Sequence, residues 1–175
     1  MVPTQNRRSR GLVRSAHLLE ISPLKWYRKL AFEKAVRGET VPKIYQEVVL
    51  SCSRERAFAE MTGVDFIKKS QPGVAIEFEI TFKSERLTRY KMKVGKWELE
   101  SEKIIIPEAF TFVTQRKVSS AAGYSLIIQI FEDHQKGTLL KHIEEFEPQQ
   151  GEEHLAGLKS GVDKYLQGVQ RYFGG

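Results

Sequence analysis

The stretch from residue 152 to residue 173 most constrains how this chain folds. Gly157, Gly161 and Gly168 lie inside it, and each costs a helix about 1 kcal/mol relative to alanine. We therefore expect that another surface comes very close at these glycines or that room is left for a ligand. The apolar residues of the stretch recur at steps of three and four, which predicts a helix with one apolar face: Leu155, Leu158, Val162, Tyr165, Leu166, Val169, Tyr172 and Phe173.

Before this helix the apolar pattern mostly has the two-residue period of β-strands. Two short helices are predicted after the first strand, one capped by Ser53 and ended by Gly63, the other over residues 64–69. The seven predicted strands cover residues 44–50, 74–82, 87–94, 97–106, 110–115, 124–132 and 138–147. A curved antiparallel sheet around the C-terminal helix would bury both apolar faces, so we expect an α+β domain over residues 44–175.

The first 43 residues form a separate basic region. They contain ten Lys/Arg and three Glu, a charge of +7 that leaves −1 of the total +6 for the rest. A nearly neutral body makes nucleic acid an unlikely partner. Residues 1–19 fit an organelle transit peptide or a flexible basic tail. A basic amphipathic helix is predicted from Ser22 to Gly38; it either packs on the domain or contacts an anionic membrane or a protein through Lys25, Trp26, Arg28 and Lys29.

The lone cysteine, Cys52, excludes an intramolecular disulfide and indicates a reducing compartment, either cytoplasm or an organelle matrix. No apolar run approaches the ~20 residues that span a bilayer. The four histidines lack metal-site spacing, and no GxSxG, P-loop or GxGxxG motif is present, so we expect neither a metal nor a cofactor. Cys52 has no histidine nearby in sequence and fits a buried thiol better than a nucleophile.

The order of strand, two short helices, six strands and long helix resembles the helix-grip superfamily. This superfamily includes START lipid-transfer domains, Bet v 1 allergens, polyketide cyclases and coenzyme Q-binding proteins. Local similarities lie in VVLSCSRERAF, IIIPEA and GTLLKHIEEFE, within residues 44–173. The resemblance implies a cavity between sheet and helix, usually for a hydrophobic ligand.

Polar residues on inner faces are the candidates for contacting such a ligand. His142 and Glu144 share a strand face with Leu140 and Phe146, and we favour the register that points this face inward; the opposite register would put Leu139 and Ile143 inside. The remaining cavity candidates lie on other strands and on the C-terminal helix, although the tyrosines among them also fit an ordinary core: Tyr90, Phe112, Tyr124, Gly157, Gly161 and Tyr165.

Ser101 and Lys103 fall on the face of Trp97 and Leu99 if their strand is regular. Because a buried lysine is rare, we expect a β-bulge that returns Lys103 to solvent.

Our leading hypothesis is a non-enzymatic module that binds or transfers an apolar small molecule or lipid. One alternative is a cyclase-like or dehydratase-like enzyme, with His142 or Glu144 as acid or base on a polyketide-type substrate. A further alternative is a protein-binding adaptor that docks through its basic N-terminal arm.

Overall fold

The computed structural model describes residues 42–118, 123–146 and 152–174. The predicted basic tail and the helix from Ser22 to Gly38, with its candidate contacts Lys25, Trp26, Arg28 and Lys29, lie outside these residues. The tail, the helix and the boundary at residue 43 therefore stay predictions. None of the described helices is long and apolar enough to cross a lipid bilayer.

Seven strands form one antiparallel sheet in the order β1-β7-β6-β5-β4-β3-β2. Their bounds are β1 Lys43–Leu50, β2 Ile76–Lys83, β3 Leu87–Val94, β4 Trp97–Ile106, β5 Thr111–Val118, β6 Gly123–His134 and β7 Gly137–Phe146. The helices are α1 Arg54–Thr62 and α2 Phe66–Ser70, both between β1 and β2, and α3 Glu152–Tyr172 at the end. This arrangement confirms the predicted helix-grip architecture.

Local sequence explains how these elements begin and end. The Ser53 side chain accepts a hydrogen bond from the Arg56 backbone N–H at 3.3 Å and so caps α1, as predicted. Pro107 opens a short 3₁₀ turn between β4 and β5. The turn ends at Phe110, which has a left-handed backbone with φ of 43°, so β5 starts one residue later than predicted.

Helix α3 buries its apolar stripe against the concave face of the sheet. Val162, Leu166, Val169 and Phe173 are buried in a core shared with β1, β5, β6 and β7. Tyr172, which we expected in the stripe, is 36% exposed and donates a hydrogen bond from its hydroxyl to Glu60 on α1. The stripe is therefore narrower at its C-terminal end than the sequence pattern indicates.

The second half of β2 departs from the predicted half-buried strand. Ile76 is buried, but Ile80 and Phe82 are each 46% exposed. The strand lies at the edge of the sheet, and α2 covers only its beginning through Ile67. A register shift between Ile80 and Phe82 then turns Phe82 beside Arg89.

Lys103 also contradicts the sequence prediction. Strand β4 pairs with β3 and β5 in unbroken register, so no bulge returns the side chain to solvent. Lys103 is only 7% exposed, and Ser101, two residues earlier on the same face, is 6% exposed.

Candidate functional site

A cavity of about 560 Å³ lies between the concave face of the sheet, the α1–α2 segment and α3. Its wall is mostly apolar. Its apolar side chains come from the α1–α2 segment, the sheet and α3, and they are Met61, Val64, Phe66, Ile67, Met92, Val94, Trp97, Leu99, Ile127, Phe146, Leu158 and Val162. The volume lies within the range of small-molecule sites.

Two of the three glycines in α3 border this cavity. At Gly157 and Gly161, an added Cβ would meet no described atom within 4 Å, and both residues are exposed. The absence of side chains leaves the cavity open along this part of the helix. Of the two explanations offered for the glycines, open space is the one that the geometry shows at these two positions.

Strand β7 directs two polar side chains to the inner face. His142 is 3% exposed and Glu144 is 5% exposed, so β7 has the inward register that we favoured. His142 Nε2 lies 3.5 Å from a carboxylate oxygen of Glu144. Across the described ranges, neither ring nitrogen of His142 has a hydrogen-bond partner of good geometry. Buried polar atoms are rarely left unpartnered, so this imidazole is free to bind a polar group in the cavity.

Glu144 is held as a carboxylate by its neighbours. Burial opposes its ionisation, but the approach of the His142 ring, the charge of Arg116 and the Ser125 hydroxyl outweigh burial and hold the pKa of Glu144 below its ordinary value. The nearest guanidinium nitrogen of Arg116 lies 3.9 Å from the Glu144 carboxylate. The inner face therefore carries the ionised Glu144 next to the His142 ring, whose nitrogens make no hydrogen bond of good geometry to the described residues.

Tyr165 on α3 closes the site opposite β6 and β7. The Gln129 side-chain amide donates a hydrogen bond to the Tyr165 hydroxyl at 3.3 Å, and the ring centres of His142 and Tyr165 lie 6.1 Å apart. Burial raises the pKa of Tyr165 to about 12, so its hydroxyl stays protonated. It can thus donate a hydrogen bond into the cavity.

A row of polar residues crosses the sheet beside this group. Cross-strand pairing places Tyr90 opposite Ser101, Ser101 opposite Arg116, and Arg116 opposite Ser125. Sequence reasoning missed Arg116, Ser125 and Gln129. It grouped Tyr124 with Leu126, Ile128 and Ile130, whereas the buried inner alternation of β6 is Ser125, Ile127, Gln129 and Phe131.

Lys103 lies at the α1 end of the cavity. Its ammonium donates hydrogen bonds to the backbone carbonyls of Met61 and of Thr62, the latter at 3.2 Å, and lies 4.0 Å from the centre of the Phe112 ring. Burial lowers the pKa of Lys103 to about 7. Helix C-terminal carbonyls and an aromatic face both favour a cation, so the contacts oppose the effect of burial.

The structure brings seven of the eight predicted cavity residues to the cavity wall: Tyr90, Tyr124, His142, Glu144, Gly157, Gly161 and Tyr165. Phe112 is the exception. It is fully buried in the core, where its ring stacks on Phe58 with centres 4.7 Å apart. Whether the seven bind a ligand stays a prediction.

The described residues bear on two further kinds of site, a metal site and a reactive thiol. Among the described residues, no group of three or more His, Cys, Asp or Glu is placed to hold a metal ion. Cys52 is partly buried, and burial raises the pKa of its thiol. The thiol form is therefore favoured over the nucleophilic thiolate.

Comparison with known proteins identifies the fold through structure alone. No protein-family model matches the sequence, and the curated proteins gave no match. The solved structure of Ara h 8.0201 is similar with a TM-score of 0.63 at 14% identity, over 77% of this chain and 98% of that one. The Zhui aromatase/cyclase from Streptomyces sp. R1128 gives a TM-score of 0.62 at 10% identity, over 77% of this chain and 92% of that one.

A third similar structure is TTHA0849 from Thermus thermophilus, with a TM-score of 0.63 at 14% identity, over 75% of this chain and 97% of that one. These similarities are at the level of the fold. The chain has the helix-grip fold, and its sheet and α3 enclose a largely apolar cavity with a polar inner face.

Proposed function

We propose that this protein binds an apolar small molecule or lipid in the cavity between the sheet and α3. The observation that carries the proposal is a buried imidazole, His142, whose two nitrogens lack a hydrogen-bond partner of good geometry among the described residues, while apolar side chains form most of the wall around it. A ligand with one polar end would satisfy the imidazole and fill the apolar space.

Two experiments test the proposal. Mass spectrometry of an organic extract of the purified protein should detect a co-purifying apolar molecule, and the neutral dye Nile red should bind with a rise in fluorescence. Gly161→Leu should weaken dye binding at least about tenfold, because the new side chain enters the open space along α3. Ser160→Leu is the matched control, since Ser160 is the exposed neighbour and does not line the cavity. Equal dye binding by both variants would contradict the proposal.

A second candidate function is acid–base catalysis by His142 on a bound carbonyl compound. It is supported by the 3.5 Å approach of His142 to an ionised Glu144, an arrangement that can stabilise a protonated imidazole. One structural neighbour is an aromatase/cyclase, which is consistent with a polyketide-type substrate but comes from the fold alone.

This activity can be measured without the natural substrate. In D₂O, the protein should accelerate deuterium exchange at the carbon between the two carbonyls of acetoacetyl-N-acetylcysteamine. The variant His142→Gln should lower that rate about 10²-fold or more, the usual contribution of a general base. An exchange rate that is unchanged in this variant would remove the catalytic role.

We also propose that the basic region of residues 1–43 contacts an anionic membrane or a protein partner. Its composition supports this, with ten Lys/Arg against three Glu. Binding of the full chain to vesicles with anionic lipid should fall as salt is raised and should be lost when residues 1–40 are deleted. Vesicle binding that is unaffected by salt and by the deletion would contradict the membrane contact. The region would then have to act as an adaptor for a protein partner.

A further inference from the structure

Three side chains in the cavity wall can carry charge close to one another. Among the described residues that line it, Arg116 and Lys103 are the basic side chains and Glu144 is the one carboxylate. When Lys103 is protonated these three groups carry one excess positive charge, and when Lys103 is neutral they balance. An apolar enclosure strengthens the effect of such an excess on a bound ligand, since little solvent screens it.

Arg116 holds donors that no described residue uses. Among the described residues its Nε is buried without a hydrogen-bond partner, and the carboxylate nearest to it, Glu144, is 3.9 Å away, beyond hydrogen-bond distance. The Glu144 carboxylate thus offsets part of the positive charge of the guanidinium, but no described residue uses its Nε as a hydrogen-bond donor. An arginine matches a carboxylate through two parallel hydrogen bonds.

The hydroxyls beside Arg116 add to this capacity. Ser101 is directly opposite Arg116 on β4, and its buried hydroxyl also lacks a partner within the described part of the chain. Tyr90 is opposite Ser101 on β3 and lines the cavity. Two independent unpartnered groups therefore lie side by side on one face of the sheet.

We propose that Arg116, assisted by the hydroxyls of Ser101 and Tyr90, binds the carboxylate of an apolar acid whose hydrocarbon part fills the cavity. This inference rests on the proposed binding function and adds the chemical class of the ligand. A single negative charge on the ligand balances the excess positive charge that is present when Lys103 is protonated. A phosphate would carry more charge next to the ionised Glu144, and a cationic ligand would meet both Arg116 and Lys103.

Displacement of Nile red by matched acid and alcohol pairs tests this class. The pairs are dodecanoic acid with dodecanol, and anthracene-9-carboxylic acid with anthracene-9-methanol. In at least one pair the acid should displace the dye at a concentration about tenfold or more below that of its alcohol, as expected for a hydrogen bond to a charged group. The two shapes keep the test independent of whether the cavity prefers a chain or a ring system.

Three variants assign the preference to its residue. Arg116→Gln should abolish the difference between acid and alcohol, and Arg116→Lys should retain part of it because the charge remains. Lys91→Gln is the matched control, since Lys91 is exposed on the same sheet, and it should keep the full preference. Thermal unfolding of each variant shows that it is folded before its binding is compared.

The outcomes separate this inference from the proposed function. If acids and alcohols displace the dye equally well, the carboxylate site is wrong while apolar binding stands. A preference for acids that survives Arg116→Gln overturns the assignment to Arg116. If Nile red does not bind and no probe is retained, both the binding function and the inference that rests on it fail.

Discussion

Gly168 in α3 faces the backbone carbonyl of Ser70, the last residue of α2, with no space for a side chain between them. A Cβ built on Gly168 would lie 2.1 Å from the Ser70 oxygen and 3.1 Å from its carbonyl carbon. Both residues are buried, and Phe66 of α2 stacks on Phe173 at the end of α3 with ring centres 5.7 Å apart. The glycine therefore sets how closely α2, one wall of the cavity, packs on α3.

The variant Gly168→Ala should be strongly destabilised. The methyl group collides with backbone, so α2 must move away from α3, and we expect a loss of about 2–4 kcal/mol in the free energy of unfolding. Urea unfolding followed by circular dichroism measures the change. A stability equal to wild type would mean that α2 and α3 do not make this contact.

The variant Gly161→Ala should instead be stabilised. Gly161 lies in the same helix but is exposed, with no described atom within 4 Å of an added Cβ. Alanine reduces the backbone entropy of the unfolded chain, which gives about 0.5–1 kcal/mol. The same urea titration applies, with Gly168→Ala as the opposite case. A loss of stability would show that position 161 is more crowded than the structure indicates.

These two glycines show where sequence reasoning ends. The glycines inside α3 indicated that side chains are disfavoured at their positions, and we offered close approach of another surface and open space as the two explanations. The sequence pattern did not assign them, because the assignment depends on which strand or helix lies opposite each residue. The three-residue and four-residue spacing fixes a face of the helix, whereas the partner of that face is a property of the whole fold.

Lys103 should make stability rise with pH in the mildly alkaline range. Its pKa is about 7 in the folded protein, because of burial, against 10.5 for the ordinary side chain. Between these values the unfolded chain binds a proton that the folded chain has released, so alkali favours folding. The gain is at most about 5 kcal/mol, and the carbonyls of Met61 and Thr62 reduce it by holding the ammonium.

Urea titrations at about pH 7 and about pH 10 measure this effect, with Lys103→Met as the reference that lacks the titrating group. Wild type should gain stability relative to this variant as the pH rises. If the difference between the two proteins stays constant, Lys103 keeps its proton in the folded state, and the helix carbonyls and the Phe112 ring fully offset burial.

Part of the site was predictable from β7, although both of its faces carry apolar residues. The face with Leu140 and Phe146 was favoured over the face with Leu139 and Ile143, and it brings His142 and Glu144 inside. Strand β6 gave no such preference, since both of its faces are largely apolar, and Gln129 was missed as a result. The prediction for Lys103 was wrong because the rarity of buried lysine was given more weight than the regular pattern of the strand. The α1 carbonyls that accept its hydrogen bonds are 41 and 42 residues away in the sequence, so they could not be foreseen.

The free nitrogens of His142 imply that removing them should not harm the empty protein. His142→Leu removes two buried nitrogens that have no hydrogen-bond partner of good geometry among the described residues, but Glu144 then loses a neighbour that lowers its pKa. Because these two effects oppose each other, stability should stay close to that of wild type. Thr138→Val on the same strand is the matched control. Thr138 is fully buried, and its hydroxyl donates to the Cys52 carbonyl at 2.8 Å, so its loss should cost about 1 kcal/mol.

Urea unfolding and ligand retention together distinguish a residue that stabilises the fold from a residue that binds a ligand. If His142 binds a ligand, His142→Leu should be about as stable as wild type by urea unfolding, yet retain less of the co-purifying molecule detected by mass spectrometry. If His142 is structural, its removal should cost as much as Thr138→Val or more, with ligand retention lost only in proportion to folding. Such a result would contradict the use of His142 as a polar anchor, because a group that already supports the fold has no free capacity for a ligand.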